Sequence, residues 1–321
     1  MASIPLPSGI TLDDYQNLEA HLIRVAITTA VAFGVIVWDY FNQLPDEIAL
    51  YSDTSDKGVW KAPVTWWFIL LRYSGIIASL PSVLFTAAQT EFCQAAISAS
   101  TAGAVLTVAS SGAIFWCRVR ALWSGSLFVS ATAGVFYAIM LACWITVGTQ
   151  FRGDTGPHTP FLSNCQLHPL APWAPMSYAS SVAFDTCVFI FTIARFRGNN
   201  AAKSKVGRQI YNDNLLYFFL QTATNVVVLS IQAQQKPSYN LIKPAAVPFS
   251  TLMTVTMGTR VFLNLRLFNQ RQQQHDVGDT LEFSTRLNLS NNSAPGRQAI
   301  QFHVSSKNHL SHSDEPYDNH R

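Results

Sequence analysis

LWSGSLFVSATAGVFYAIMLACWITV, residues 122–147, runs for 26 positions without a charged side chain. A helix of about 20 apolar residues is enough to cross the hydrocarbon core of a bilayer. Six further stretches of similar character flank it, over residues 21–41, 63–85, 93–117, 175–195, 211–234 and 244–265. In lipid the backbone must satisfy its own hydrogen bonds, so repeats of this length predict a helical bundle rather than a sheet. A large soluble helical protein is the competing reading, but soluble core helices seldom recur at this length with so few charges. The expected fold class is all-α, an integral membrane bundle of seven transmembrane helices.

Composition agrees. Only 12% of the residues are charged, about half the share in soluble domains, and the deficit falls in the seven stretches. A net charge of +3, scattered along the chain, gives no footprint for nucleic acid. Residues 1–20 hold Asp13, Asp14 and Glu19 but no lysine or arginine, the reverse of a cleavable signal peptide. The first membrane helix is expected to act as its own uncleaved signal, and no lipidation motif is present.

Three parts follow: a short arm over 1–20, the bundle over 21–268, and a polar tail over 269–321. The tail opens on Gln270-Arg271-Gln272-Gln273-Gln274-His275 and has too few large apolar residues to fold alone, so it is expected to be disordered. Lysine and arginine set the orientation. With the N-terminus outside, the inner segments hold Lys57, Lys61, Arg118, Arg120, Arg195, Arg197, Lys203, Lys205, Arg208, Arg266 and Arg271. The outer segments hold Arg152, Lys236 and Lys243. The segment 195–208 decides it, with five basic residues and no acid. The expected topology is N-terminus outside and C-terminus cytoplasmic, in the plasma membrane or another membrane of the secretory pathway.

Inside the bundle, Ala95, Ala99 and Gly103 recur every four residues, as do Gly134, Ala138 and Ala142. Small residues at that spacing predict close helix packing in lipid. Cys93 at the outer mouth of helix three and Cys165 in the loop 148–174 face an oxidising compartment in this topology, so a disulfide between them is expected over two free thiols. Cys117, Cys143 and Cys187 read as small apolar fillers. Asp154, His158 and His168 share the same loop, but their spacing matches no zinc pattern, and no metal or cofactor is expected.

Polar residues at bilayer depth are costly and are functional candidates by default. Ser177, Ser181 and Asp185 lie four apart on helix five. Asn214, Gln221, Asn225 and Gln232 share a face of helix six. A short loop makes the two helices antiparallel neighbours, which puts Asp185 and Asn225 at similar depth. Two readings stay open: a polar cavity for a ligand or ion, formed by Asp185, Ser181, Gln221 and Asn225, or a hydrogen-bond cluster that fixes packing. Nearer the cytoplasmic side, Asp39 ends helix one and has Arg72, Arg260 and Asn264 within reach. An Asp39–Arg72 or Asp39–Arg260 pair would neutralise these charges, as structure or as a conformational switch.

The runs Trp38-Asp39-Tyr40, Leu44-Pro45-Asp46-Glu47-Ile48, Trp60-Lys61 and Arg72-Tyr73 resemble the N-terminal signature of a fungal, basidiomycete-type membrane family, domain of unknown function 6533. Cys165, Pro172-Trp173-Ala174-Pro175, Phe184-Asp185-Thr186 and Arg260-Val261-Phe262-Leu263-Asn264-Leu265-Arg266 are similar to features of the same proteins. The resemblance covers the bundle and not the tail, and Ser52 to Gly58 departs from it. It implies a multi-pass membrane protein and carries no activity.

Residues 244–265 contain no lysine for a retinal Schiff base. Helix three ends Trp116-Cys117-Arg118-Val119-Arg120 without Asp-Arg-Tyr, and no protease, hydrolase or nucleotide-loop motif is present. The expected function is non-enzymatic: a receptor-like protein that senses a small ligand from outside and couples to a cytoplasmic protein partner. A transporter or channel using a midplane site is the alternative, and a scaffold held in the lipid bilayer without a ligand is the third.

Overall fold

A computed structural model describes residues 12–52, 63–123, 126–156, 163–168, 171–198, 205–234, 243 and 246–263. The arm before residue 12, Asn264 and the tail over 269–321 lie outside the described residues. The chain is helical: α1 (Leu12–Ser52), α2 (Pro63–Ala87), α3 (Cys93–Leu122), α4 (Leu127–Gly148), α5 (Met176–Gly198) and α6 (Lys205–Ala233), with a seventh helix, α7, over 246–263. Six of them are long and apolar enough to cross a membrane, in the segments Leu22–Ala49, Pro63–Ala87, Cys93–Leu122, Leu127–Gly148, Met176–Arg195 and Leu216–Ala233. Helix α7 is not among these six; Ser250, Thr251, Thr254, Thr256, Thr259 and Arg260 interrupt its apolar character.

The distribution of side chains is that of a multi-pass membrane protein. Trp38, Ile27, Val31, Phe128 and Ile190 face outward, while Arg72, Glu47, Asp185, Gln221 and Asn225 are buried. Water as solvent would select the opposite arrangement. The interior still has an apolar centre, where Phe68 stacks on Phe262 with ring centroids 4.4 Å apart and Phe115 meets Phe218 at 4.5 Å.

Helix α1 corrects the sequence reading. Asp39 does not end it; the helix continues through Pro45 to Ser52. Proline removes one backbone donor and crowds the preceding turn, yet the helix passes through it. The turns beyond it are held by side chains four apart: Gln43 Nε2 donates to Asp39 Oδ2 at 2.5 Å, and the Tyr51 hydroxyl donates to Glu47 Oε1 at 3.1 Å. Burial, with the Glu47 carboxylate beside it, pushes the Tyr51 phenol above its usual range, so this hydroxyl keeps its proton.

Close packing is found between α2 and α3. A Cβ on Gly103 would lie 2.4 Å from the backbone nitrogen of Ala78, so the two backbones touch there. Ser100 Oγ donates to the Ala78 carbonyl at 2.7 Å, and the Ser74 and Thr107 hydroxyls meet at 2.9 Å. The four-residue stripes are corrected in part, since Ala95, Ala138 and Ala142 are exposed.

The loop after α4 holds the one departure from an all-helical fold among the described residues. Strands β1 (Gly153–Thr155) and β2 (Cys165–Leu167) form an antiparallel ribbon in the register Gly153 with Leu167, Asp154 with Gln166 and Thr155 with Cys165. Cys93 and Cys165 form a disulfide with Cα atoms 5.4 Å apart, tying the ribbon to the start of α3. Gly153 packs closely here, since a Cβ would lie 3.0 Å from Phe85 and 3.2 Å from Ile97 and would push those side chains back by a few tenths of an ångström. Its N–H donates to Gln94 Oε1 at 2.8 Å, and the Thr90 N–H donates to the buried Asn164 Oδ1 at 2.9 Å.

Candidate functional site

Helix α5 carries Ser177, Ser181 and Asp185 on its buried face, as a repeat of four dictates. Helix α6 brings Gln221 and Asn225 against it on the same periodicity. Asn225 Nδ2 donates to Asp185 Oδ2 at 2.7 Å. Helix α7 closes the group from the other side. Ser250 Oγ reaches Asn225 Oδ1 at 3.4 Å, and Gln221 Nε2 donates to Thr254 Oγ1 at 2.8 Å. Helix α4 adds Trp144, whose indole N–H donates to Ser181 Oγ at 2.8 Å. Among the described residues Asp185 forms no ion pair.

Beside Asp185 lies a cavity of about 20 Å³, bordered by Asp185, Ser181, Gln221, Asn225, Ser250 and Thr254 with Phe115, Met140 and Trp144 as apolar walls. That volume holds about one water molecule. The hydrogen-bond directions around it are fixed by the network. Thr254 spends its hydrogen on the Ser250 carbonyl at 2.9 Å, so it accepts from Gln221 and orients that amide. Gln221 Oε1 is then buried with no hydrogen-bond partner. Ser181 likewise spends its hydrogen on the Ser177 carbonyl at 3.2 Å. The cavity therefore offers oxygen lone pairs and one carboxylate, with the Ser111 hydroxyl and the second N–H groups of Asn225 and Gln221 as donors on its bordering residues.

Of the other residues on the helix-six face, Gln232 donates instead to the Lys243 carbonyl at 3.0 Å, and the side chain of Asn214 lies outside the described residues. Ser250, Thr254 and Trp144 were not read from the sequence as part of this group. Ser250 and Thr254 stand four apart on α7, a spacing that does not by itself mark them as part of a site.

A second polar group joins α1, α2 and α7. Of the two partners offered for Asp39, Arg260 takes it, Nη2 to Oδ1 at 2.9 Å. Arg72 pairs instead with Glu47, Nε to Oε2 at 3.1 Å, with both side chains buried. The N–H of Arg72 is not aimed squarely at that oxygen, so the contact is ionic rather than a well-formed hydrogen bond. Its Nη2 donates to the Tyr40 carbonyl at 2.6 Å, and the guanidinium sits 4.4 Å from the centre of the Tyr40 ring. Two further arginines cap backbone at the same end: Arg118 donates to the Val261 carbonyl at 2.6 Å and Arg195 to the Leu122 carbonyl at 3.1 Å.

On the β-ribbon His168 Nε2 and Asp154 Oδ2 are 2.5 Å apart and exposed, and His158 lies outside the described residues. Among the described residues no group of three or more His, Cys, Asp and Glu is placed to hold a metal ion. No family model matches this chain, and no curated protein does.

Proposed function

We propose that this chain is a non-enzymatic seven-helix membrane protein of receptor-like topology, with its N-terminus outside and its C-terminus cytoplasmic. The Asp185 group is its working site, answering a small ligand from outside and coupling to a cytoplasmic protein partner through residues 195–208 and the tail. One observation carries this reading. Among the described residues a lone carboxylate sits in the bundle without a cationic partner, joined across α5, α6 and α7 by hydrogen bonds that a small helix displacement would break. The Cys93–Cys165 disulfide supports an oxidising compartment on the ribbon side, in the plasma membrane or elsewhere on the secretory route. Membership of the fungal family is part of the same proposal, supported by the residue runs alone.

The size of the cavity favours a second reading. A site for about one water suits an ion better than an organic ligand, which is what a transporter or channel would use. Cation flux into liposomes reconstituted with the purified protein separates the two. The receptor reading expects none, and flux that disappears in Asp185→Asn would replace it with the transporter. Topology has its own check. Asn288-Leu289-Ser290 and Asn291-Asn292-Ser293 are glycosylation acceptors by sequence. They should stay bare in a cytoplasmic tail, and sugar on either would reverse the orientation.

A further inference from the structure

The geometry points to a binding site for one monovalent metal cation of sodium size in the cavity formed by Asp185, Gln221, Asn225, Ser250 and Thr254. This rests on the reading of the Asp185 group as the working site and names its occupant. Two independent observations converge on it. Asp185 is the only ionisable side chain among the residues bordering the cavity, so when ionised it places one negative charge there that nothing in the lining balances. Gln221 borders the same cavity and is only 4% exposed, and its Oε1 accepts no hydrogen bond.

The chemistry of the lining selects the occupant. Burying an unpartnered carboxylate costs several kcal/mol, so the group needs a proton or a cation. The hydroxyl hydrogens of Thr254 and Ser181 point away to backbone carbonyls, and Asn225 spends an N–H on Asp185 Oδ2. The remaining lone pairs of Asp185, Gln221 and the hydroxyls are what a hard cation coordinates. A water in the same place would satisfy two acceptors with its hydrogens and would have the Ser111 hydroxyl and the second N–H groups of Asn225 and Gln221 as donors, but it would leave the carboxylate charge unbalanced, which a cation does not. A divalent ion is a poor fit, because calcium and magnesium sites draw on more carboxylate charge than one aspartate supplies. A bulky organic cation does not fit a cavity of about 20 Å³. One carboxylate, neutral oxygens and room for one small sphere specify a monovalent ion.

The test uses the purified full chain in detergent, melted in sodium chloride or in choline chloride at equal ionic strength. Sodium should raise the melting temperature saturably. At 100 times its dissociation constant it shifts the folded-to-unfolded ratio about 100-fold. Asp185→Asn should abolish the sodium effect, and Gln221→Met, which removes the free carbonyl but keeps the volume, should weaken it at least several-fold. Binding of radioactive sodium to the unmodified protein, displaced by unlabelled sodium and not by choline, reads the site directly even where a variant fails to fold. Identical melts in both salts would overturn the proposal. So would a sodium effect that survives in Asp185→Asn, or stability that responds to acid alone, which would make the occupant a proton. Sodium binding without any response to an outer ligand would keep this site and remove the receptor. A ligand response that is lost in Asp185→Asn but indifferent to sodium would do the reverse.

Discussion

Two polar groups are buried in the same bundle, and they solve the problem of intramembrane charge in opposite ways. Where α1, α2 and α7 meet, two acids face two arginines, Glu47 with Arg72 and Asp39 with Arg260. Around Asp185 a single acid is surrounded by amides, hydroxyls and an indole, and a cavity is left beside it. The balanced group neutralises its own charges, although Gln43 Oε1 is left without a hydrogen-bond partner and a smaller cavity of about 10 Å³ borders Asp39 and Arg72. An unbalanced one is finished only by something the chain does not supply. The difference separates a packing device from a working site more sharply than burial does, since Arg72 is as buried as Asp185.

The comparison is most exposed at Glu47. Replacing it by glutamine leaves Arg72 charged in a site where its side chain is 3% exposed, and losing one member of such a pair costs about 3–5 kcal/mol. Reversible unfolding in mixed detergent micelles should show that loss. Adding Arg72→Met should recover part of it, because the double variant no longer buries a single charge. A Glu47→Gln protein as stable as its parent would mean that the pair is not what closes α1 onto α2.

Helix α1 also shows what the sequence made legible. Asp39, Gln43, Glu47 and Tyr51 stand four apart and form one stripe, but only if the helix runs through Pro45. Ending the helix near Phe41 hid Glu47 in a loop and left Arg72 without its partner. Asp185 and Asn225, in contrast, lie in the middle of long apolar stretches, where no breaker interferes. Their repeat of four and the short connection between α5 and α6 were enough to bring them together. Ser250 and Thr254 were out of reach for a different reason. A hydroxyl on a helix is as often satisfied by its own backbone, as Thr259 is here, so spacing alone does not mark it as part of a site. The β-ribbon left no signal, being two three-residue strands in a polar loop.

The disulfide gives the next largest effect and lies outside both polar groups. It closes a separation of 72 residues, and its loss should cost about 2–4 kcal/mol. Cys93→Ser and Cys165→Ser should each lower the melting temperature, with the double variant little worse than either. Additive losses, or two freely labelled thiols in the parent, would remove the bond from the account. Neither variant should change the response of the Asp185 site to sodium, since the disulfide packs with Phe85, Ile97, Phe151 and Leu167, none of which borders that cavity.

Within the balanced group the two pairs are unequal. The Arg260 side chain is 48% exposed, against 3% for Arg72. Arg260→Gln strands Asp39, whose side chain is 9% exposed but keeps the Gln43 amide as a donor, so the loss should be about 1–3 kcal/mol, below that of Glu47→Gln. A loss as large as that of Glu47→Gln would show that Asp39 and Arg260 are held in a drier site than their exposure indicates, and would unite the two pairs as one structural unit.

The smallest expected effect is the most informative. In a sodium-free buffer Asp185→Asn should leave stability within about 1 kcal/mol of the parent, on the stabilising side. The substituted amide keeps an oxygen that can accept from Asn225 Nδ2, now 2.7 Å from Asp185 Oδ2. It also brings N–H donors to a cavity where Gln221 Oε1 has none, and a hydrogen bond formed there contributes about 0.5–1.5 kcal/mol. It removes a buried charge that has no partner in the lining. A packing device would behave otherwise, because in a balanced group each neutralised member strands its partner. If unfolding shows Asp185→Asn to be as damaging as Glu47→Gln, then Asp185 is charged and paired, the contrast between the two groups disappears, and both belong to the structure. If the variant is stable and expresses as the parent does, the carboxylate is there for something other than the fold.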